Sequence, residues 1–410
     1  MRGALKLVEI PKPATARRSA LRFVLIIGVT SLFADMTYEG ARSITGPFLE
    51  TLGATGTIVG LVAGLGELFG YGLRLISGRI TDRTHEFWPI TLVGYFVQMS
   101  AVPLLALAGS WKAAAGLILL ERVGKAIRNP PRDVMLSHAA KDIGYGWAFG
   151  VHEALDQFGA LLGPLVVAAI LAKRGHLQLA FGVLAIPAII TLALLLVARW
   201  IYPRPEEFEV TSKQERAKPH SWVFWMYLAG AALVAAGFAD FQLLAFHFQR
   251  ADSVSETWIP ITYSIAMAVS GAGSLVFGKL FDRIGLFVLI PLTAISAAFA
   301  PLVFMGKFWA VLIGSALWGL GMGVHESIIP AAVATMVPVA RRASAYGLFT
   351  GAYGVAWFIG SAVMGRLYDY SLETVVTFCV VLQVLSIPLF YQVWSALRST
   401  EHSGMGAGPS

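Results

Sequence analysis

Cysteine and charged residues are both scarce in this sequence. The one cysteine among 410 residues, Cys379, excludes an internal disulfide and a thiolate metal cluster. Only 13% of the residues are charged, whereas a soluble globular domain carries about 25%. A Walker-type phosphate loop is also missing, so the chain contains no sign of an ATP-driven motor. No serine or cysteine stands beside a base as a catalytic nucleophile would, and we expect no enzyme.

Apolar residues make up most of what is there. They account for 57% of the chain, and the mean hydropathy of +0.70 is typical of an integral membrane protein. The 42 glycines suit helices that pack closely in lipid. The net charge of +7 does not indicate nucleic-acid binding, because the basic residues concentrate in connectors, as membrane topology requires.

Twelve apolar stretches are long enough to cross about 30 Å of hydrocarbon as helices. They cover residues 20–41, 56–78, 88–109, 113–137, 145–171, 177–200, 222–248, 256–279, 286–306, 308–336, 344–366 and 372–397. The connector 201–220 is rich in proline and charge and predicts a solvated linker. We therefore predict an all-α integral membrane protein with a six-helix bundle in 1–200, a second six-helix bundle in 221–398 and a disordered tail in 399–410.

Lysine and arginine are unevenly divided among the connectors. If the amino terminus lies inside, the inner connectors hold most of them, including Arg79 and Arg83 after the second helix and Arg341 and Arg342 after the tenth. Because positively charged loops stay on the cytoplasmic side, we expect both termini in the cytoplasm and the protein in the inner or plasma membrane.

Three short patterns recur in the two halves of the chain. The matching segments are Gly78-xxx-Asp82-Arg83 with Gly278-xxx-Asp282-Arg283, Phe33-Ala-Asp35 with Phe238-Ala-Asp240, and Phe149-Gly150…Gly163 with Tyr346-Gly347…Gly360. They follow in the same order with similar spacing, which predicts a parallel repeat of two six-helix units. Two such units give alternating access to a site between them.

The twelve helices, the central linker and the repeated Gly-xxx-Asp-Arg loop together resemble the major facilitator superfamily, over essentially the whole chain. The resemblance implies a monomeric carrier with a central cavity. It also implies that the loop motif closes the cytoplasmic side, where an aspartate caps a helix end and pairs with basic groups. The implied gate residues are Gly78, Asp82, Arg83, Gly278, Asp282 and Arg283.

Two more patterns resemble the proton-coupled export branch of that family. Gly159-Ala-Leu-Leu-Gly163-Pro164 corresponds to its fifth-helix antiporter motif, and Arg122 corresponds to the arginine of its fourth-helix motif. The Gln-Gly of that fourth-helix motif is replaced by Lys125-Ala126 here. The resemblance favours export over uptake.

The predicted fourth helix carries an unusual density of charge. Steps of four, three and four place on one face Glu121, Lys125, Arg128 and Arg132. Charges at membrane depth usually face an aqueous cavity or a partner, so we expect this stripe, with the neighbouring Arg122, to form a basic wall. Pro130 and Pro131 are predicted to break or bend the helix, which assigns Arg132 to the gate.

Acids and histidines on other helices complete the predicted cavity. With one further arginine they are Asp35, Glu39, Arg42, His152, Glu153, Asp156, Asp240, His325 and Glu326. A buried carboxylate beside an arginine can exchange that arginine for a proton, which is what a proton-coupled carrier requires. We expect Asp35, Glu39 and Glu153 to carry protons. The expected counter-charge is Arg122 or Arg128.

Three functions stay open at this point. The first is proton-driven export of a small organic compound, powered by the proton gradient with no cofactor. The second is export of a divalent metal or a metal chelate, with nitrogen and oxygen ligands from His152, Asp156, Asp240 and Glu326. The third is uptake, either facilitative or by proton symport. Some pairs, such as Glu67–Arg74 on one helix, are expected only to fix helix packing.

Overall fold

The computed structural model is entirely helical in the part of the chain that it describes, which is residues 14–143, 145–203, 222–336 and 342–405. Its helices are α1 (Ala14–Thr51), α2 (Gly56–Thr84), α3 (Phe87–Leu104), α4 (Trp111–Ile143), α5 (Tyr145–Arg174), α6 (Leu177–Val183), α7 (Ala185–Ile201), α8 (Trp222–Ala236), α9 (Phe241–Arg250), α10 (Trp258–Ile284), α11 (Leu289–Ala297), α12 (Phe299–Met305), α13 (Phe308–Gly323), α14 (Ile329–Met336), α15 (Arg342–Tyr370) and α16 (Leu372–Met405). The predicted twelve transmembrane segments are confirmed. The sixth, seventh, ninth and tenth consist of two helices each, namely α6–α7, α8–α9, α11–α12 and α13–α14.

Ten of the described helical segments are long and apolar enough to cross a membrane. The other two segments are shorter or more polar: α13 holds an apolar stretch of only Phe308–Gly323, and α4 carries the charged stripe. Because α2 and α3 pack against α4, protein rather than lipid surrounds those charges.

The two halves meet chiefly along three helix pairs, α1 with α9, α2 with α15 and α5 with α10. At the end that holds the α1–α2 turn, Gly60 of α2 packs directly on the backbone of Gly365, and Gly46 of α1 packs on that of Gln242. We call this the closed end. Toward the opposite end the contact between α2 and α15 is looser, because a side chain added at Gly347 would meet only the side chain of Leu75, at 3.6 Å, among the described residues. That side, which holds the α2–α3 turn, is the open end.

The seventh segment is broken in its middle, although the sequence predicts a continuous helix over 222–248. α8 ends at Ala236 and α9 begins after Asp240, whose backbone is extended. Neighbouring helices satisfy the freed carbonyls: Trp318 Nε1 donates to Ala239 O at 2.8 Å. A backbone break at membrane depth is tolerated where protein supplies such partners, and here it places Asp240 between the halves.

The sequence predicts that Pro130 and Pro131 break or bend the fourth helix, and a break is wrong, since α4 continues through both prolines. A proline at 131 cannot donate to the carbonyl of Ile127. The hydroxyl of Ser77 donates to that carbonyl instead, at 2.7 Å. A side chain from α2 therefore replaces the missing backbone bond, and the helix keeps its course.

The carboxyl-terminal boundary also differs from the prediction. The tail was predicted to begin at 399, but α16 continues to Met405. Residues 398–403 contain no glycine or proline to end the helix. Residues 406–410 and most of the predicted linker lie outside the described residues, so the predicted domain boundaries stay predictions.

Candidate functional site

A polar cavity of about 400 Å³ lies between the halves and is lined by α1, α2, α4, α5 and α10. Its charged lining residues are Asp35, Glu39, Arg74, Lys125, Arg128, Arg132, Glu153 and Asp156. The sequence predicts every one of them as a cavity or gate residue except Arg74. The site is therefore a small chamber in which cations of α2 and α4 face acids of α1 and α5.

Arg128 is the most deeply buried of these cations, with 0% of its surface exposed. Its Nε donates to Gln98 Oε1 at 2.5 Å and its Nη1 donates to the Tyr95 hydroxyl at 2.8 Å. The third partner is Asp35, whose Oδ1 lies 3.7 Å from Nη2. Gln98 in turn donates to Glu121 Oε1 at 2.7 Å. Arg128 is thus held by α3 whatever happens at Asp35.

A second group of charges lies beside the cavity, toward the closed end. Glu67 Oε1 is 3.2 Å from both Arg42 Nη2 and Arg122 Nη2. The predicted pairing of Glu67 with Arg74 is therefore wrong. Side chains seven residues apart start about 10 Å apart along a helix axis, whereas Arg42 and Arg122 approach Glu67 directly from α1 and α4. Arg74 is left to face the cavity.

Two polar contacts cross between the halves just behind the cavity. The Tyr263 hydroxyl of α10 donates to Glu39 Oε2 of α1. Arg42 Nη2 lies 3.9 Å from Asp240 Oδ1. Asp240 also accepts from Ser361 Oγ at 2.5 Å and from Trp357 Nε1 at 3.2 Å, which fixes it on the α15 side. The predicted residues Glu39, Arg42 and Asp240 therefore join the halves.

The polar residues of α5 occupy two faces of that helix. His152 is buried, with Nε2 3.0 Å from the Ser31 hydroxyl and Nδ1 3.4 Å from Asp156 Oδ2. Asp156 and Glu153 line the cavity. Glu153 accepts from Gln157 Nε2 at 2.9 Å. His152 thus supports the position of Asp156 from behind.

The structure places Arg132, which the sequence assigns to the gate, in the cavity and apart from the exposed Asp82 and Arg83, and its gate role stays a prediction. Arg132 lines the cavity, donating to Asp133 Oδ1 at 3.0 and 2.8 Å and to the Ser31 hydroxyl at 3.3 Å. The reason is the unbroken course of α4 through Pro130 and Pro131, which keeps Arg132 one turn from Arg128 on the same face.

The predicted gate residues lie at the open end. Asp82 and Arg83 are exposed at the end of α2, and Arg283 is exposed at the end of α10; none of the three forms an ion pair with a described residue. Gly78 faces Pro130, while Gly278 has no described neighbour within 4 Å. The side chain of Asp282 lies outside the described residues. The gate role stays a prediction.

The fifth-helix motif packs against α1. A side chain at Gly159 would overlap the carbonyl of Leu32, and one at Gly163 would overlap that of Met36. Pro164 is buried beside them. These glycines let the acids of α5 approach the acids of α1.

His325 lies in a short π-helical turn, Val324–Ile328, and is surrounded by aromatic rings. Its Nδ1 is 2.7 Å from the Tyr353 hydroxyl, and its ring centroid is 4.4 Å from that of Phe238. It borders a side chamber of about 70 Å³ that also reaches Lys125. The side chain of Glu326 lies outside the described residues.

The alternative metal site gains no support from the described part of the chain. No three histidine, cysteine, aspartate or glutamate side chains converge there in a way that could hold a metal ion. His152 and Asp156 are neighbours, but Asp240 belongs to the other half and is occupied by Ser361 and Trp357.

Several residues that complete the site were missed from the sequence. Tyr38 lies under Lys125, whose Nζ is 3.7 Å from the ring centroid. Asn129 lines the cavity, and Gln98 joins two charges of α4. Helical spacing could have identified two of them: Tyr38 follows Asp35 by three positions, and Asn129 follows Lys125 by four. Gln98 gave no such signal, because α3 reads as a plain apolar span.

Relatives of the chain align over nearly its whole length. A protein of Mycobacterium tuberculosis described as uncharacterized is 41% identical over 95% of this chain and 96% of its own. An uncharacterized MFS-type transporter of Methanocaldococcus jannaschii is 27% identical, covering 90% of this chain and 94% of its own. The fosmidomycin resistance protein of Escherichia coli is 23% identical, covering 91% of this chain and 93% of its own.

Solved structures show the same fold. A peptide transporter, POT, superposes with a TM-score of 0.73 at 14% identity, covering 92% of this chain and 94% of its own. The nucleoside transporter NupG superposes with a TM-score of 0.70 at 14% identity, covering 91% of this chain and 98% of its own. The sequence profile of the Major Facilitator Superfamily matches residues 24–361. By that match and its relatives, the chain belongs to the major facilitator superfamily and is a multi-pass membrane transporter, not an enzyme.

Proposed function

We propose that this protein exports small organic solutes in exchange for protons. The observation that carries the proposal is the position of Asp35, which lines the cavity 3.7 Å from Arg128. A carboxylate in such a place can be neutralised either by the cation or by a proton. It can therefore bind and release protons from the same chamber that admits the solute.

The surroundings of Asp35 make this exchange feasible. Arg128 keeps its bonds to Gln98 and Tyr95 when Asp35 is protonated, so no buried guanidinium is left without partners. Protonation then alters only the electrostatic field on the cavity side. With Asp35 neutral, Lys125 in the same cavity attracts another anion more strongly, because a nearby negative charge is gone.

Contacts between the halves offer a way to couple protons to movement. Glu39 and Asp240 each accept a hydrogen bond or ion pair from the opposite half, through Tyr263 and Arg42. Charge-assisted bonds of this kind are roughly twice as strong as neutral ones. Protonation of either acid would weaken a contact that must break for the closed end to open.

The export direction rests on relatives. The names of the fosmidomycin resistance protein of Escherichia coli and of multidrug resistance protein MdtH of Proteus mirabilis, which is 28% identical over 32% of this chain, suggest removal of toxic compounds. In the predicted orientation the open end faces the cytoplasm, where an exporter loads its solute. The protein would then lie in the inner or plasma membrane with both termini inside.

Purified protein in proteoliposomes with a trapped pH-sensitive dye tests the proposal. We expect protons to leave vesicles of acidic interior when one solute of a panel, including fosmidomycin, organic cations and divalent metals, is added. Asp35→Asn should abolish this proton flux, while Asp252→Asn, in the exposed α9–α10 turn, should not. An Asp35→Asn protein with unchanged rate and pH dependence would remove Asp35 from coupling. Solute movement without proton flux would identify a facilitative carrier.

A further inference from the structure

The cations of the cavity are not all paired. Arg128 is held by Asp35, Gln98 and Tyr95, and Arg132 is held by Asp133. The two others are Lys125 and Arg74, which have no carboxylate oxygen of the described chain within 4 Å. Each lies over a tyrosine ring: Lys125 Nζ is 3.7 Å from the centroid of Tyr38, and Arg74 Cζ is 5.5 Å from that of Tyr71. The α2–α4 wall therefore presents two positive charges to the cavity.

The acids of the cavity are also incompletely paired, but on a different helix. Asp35 faces Arg128, and Glu39 accepts from Tyr263. On α5, Asp156 uses one carboxylate oxygen for His152, and its Oδ1 is buried with no partner among the described residues. Among the described residues, Glu153 accepts a hydrogen bond from the neutral amide of Gln157 and has no cationic partner. The α5 wall therefore presents negative charge to the same chamber.

Asn129 is an independent sign of a ligand. Its side chain is 7% exposed, it lines the cavity, and its Oδ1 lacks a hydrogen-bond partner in the described chain. Arg74 Nε is likewise buried without a partner. Buried polar atoms are nearly always hydrogen-bonded. Unpaired donors and acceptors directed at one chamber indicate that something polar binds there.

We propose that the transported solute is a small zwitterion, with its anionic group at Lys125 and Arg74 and its ammonium group at Asp156. The proposal deepens the proposed function and rests on it for the role of transport. A simple anion would leave Asp156 Oδ1 unpaired in a buried site. A simple cation would leave the charge of Lys125 without an anionic partner. A zwitterion satisfies both walls at once, and the amide of Asn129 can accept from or donate to either group.

The size and the chemistry of the chamber agree with such a solute. A volume of about 400 Å³ admits a small molecule and excludes a macromolecule. An ammonium group at Asp156 also competes with a proton for the same carboxylate. When Asp156 carries a proton, binding of the ammonium group would displace that proton and leave the carboxylate paired with the solute, as exchange of solute for protons requires.

Binding to the purified full-length protein in nanodiscs, without any pH gradient, tests the proposal. Two matched series of probes share one skeleton each: phenylalanine, 3-phenylpropionate and phenethylamine, and 6-aminohexanoate, hexanoate and hexylamine. The readout is the rise of the melting temperature with probe concentration. We expect a zwitterion of at least one series to bind about tenfold more tightly than both its acid and its amine.

Variants assign the two poles. Lys125→Met should reduce the affinity for the zwitterion to that for the matched amine, and Lys125→Arg should restore part of it. Asp156→Asn should reduce that affinity to that for the matched acid. Lys112→Met and Asp252→Asn, both exposed and outside the cavity, should change neither.

Three outcomes would overturn the proposal. In the first, the acid binds as tightly as its zwitterion and its affinity is unchanged by Asp156→Asn. In the second, the amine binds as tightly as its zwitterion and its affinity is unchanged by Lys125→Met. In the third, neither series raises the melting temperature. Variants are compared only when helical content and the elution volume match those of the native protein. If no solute causes proton flux in proteoliposomes, the export proposal is contradicted, but the binding result still stands.

Discussion

Arg128 and Glu121 do not form an ion pair with each other, yet both depend on the amide of Gln98. That amide accepts from Arg128 Nε at 2.5 Å and donates to Glu121 Oε1 at 2.7 Å. Sharing one neutral side chain between a buried cation and a buried anion satisfies both without direct contact. At the residue scale, an uncharged side chain of α3 therefore holds two charged side chains of α4 in position.

Replacement of Gln98 by leucine should destabilise the protein strongly. It would leave a donor of Arg128 and an acceptor of Glu121 unpaired in a fully buried site, at a cost of about 3 kcal/mol in the free energy of unfolding. Gln383 is a matched control, because it is also fully buried but has only a 3.4 Å bond to Gly237 and an unpartnered Oε1. Gln383→Leu should change stability by less than about 1 kcal/mol.

Thermal melts of both variants in the same detergent check this prediction. A clear fall of the melting temperature is expected for Gln98→Leu and little change for Gln383→Leu. Equal effects of the two substitutions would contradict a special role of Gln98. Normal stability of Gln98→Leu would mean that Arg128 and Glu121 find other partners.

At the scale of helices, α2 and α15 form a pair with an aspartate at each end. At the closed end, Asp369 of α15 caps the start of α2: its Oδ1 accepts from Gly56 N at 2.8 Å, and its Oδ2 accepts from Thr57 N at 2.8 Å and Thr57 Oγ1 at 2.6 Å. At the open end, Asp82 of α2 is exposed and has no ion pair with a described residue. A negative side chain at a helix start is favourable, so the cap stabilises closure where it is made.

Replacement of Asp369 by alanine should shift the protein toward a form that opens at the closed end. The cap contributes about 1 kcal/mol, which is roughly a fivefold change in the ratio of two conformations. A cysteine introduced as Gln242→Cys reports it, because Gln242 is buried between α9 and α1 at that end. The native Cys379 is buried and gives little background. Maleimide labelling of the introduced cysteine should become faster.

Glu373→Gln is the matched control for this labelling experiment. Glu373 is an exposed acid four residues further along the chain, in the first turn of α16, and makes no contact with α2 among those described. Its replacement should leave the labelling rate unchanged. If Asp369→Ala and Glu373→Gln label at the native rate, the cap does not hold the closed end.

At the scale of the whole molecule, two halves that move as rigid bodies open at one end when they close at the other. The resemblance of Gly78-xxx-Asp82-Arg83 to the family gate implies that Asp82 acts when the open end closes. Removal of the Asp82 side chain should therefore leave the stability of the present conformation unchanged and should destabilise only the alternative conformation. The two aspartates would then act in opposite senses on one equilibrium.

Asp82→Ala should slow the labelling of Gln242→Cys, in contrast to Asp369→Ala. The reason is that loss of a contact made only in the alternative conformation increases the share of the present one. The melting temperature should change little, since Asp82 is exposed and unpaired with described residues. Faster labelling would refute the gate assignment, and so would an altered preference among transported solutes.

Much of the architecture could be predicted from the sequence, because hydrophobic length alone determines which segments cross a membrane. The spacing of Asp35 and Glu39, and of Lys125 and Arg128, also identified which faces of α1 and α4 would bear charge. Spacing could not assign partners. Spacing pairs Glu67 with Arg74 on its own helix, whereas the structure pairs it with arginines of two other helices.

The sequence by itself determined the class of protein, the twelve spans and the helices that carry charge, since these depend on local composition and on helical periodicity. Only the tertiary structure decided which charges are satisfied and which stay free. That outcome depends on neighbours far apart in the chain: Ser77 bonds the Ile127 carbonyl that Pro131 cannot reach, and Gln98 holds Arg128. Among the described residues, Lys125 and Arg74 remain without a carboxylate partner and Asp156 keeps one free oxygen, and no local pattern of the sequence identifies them.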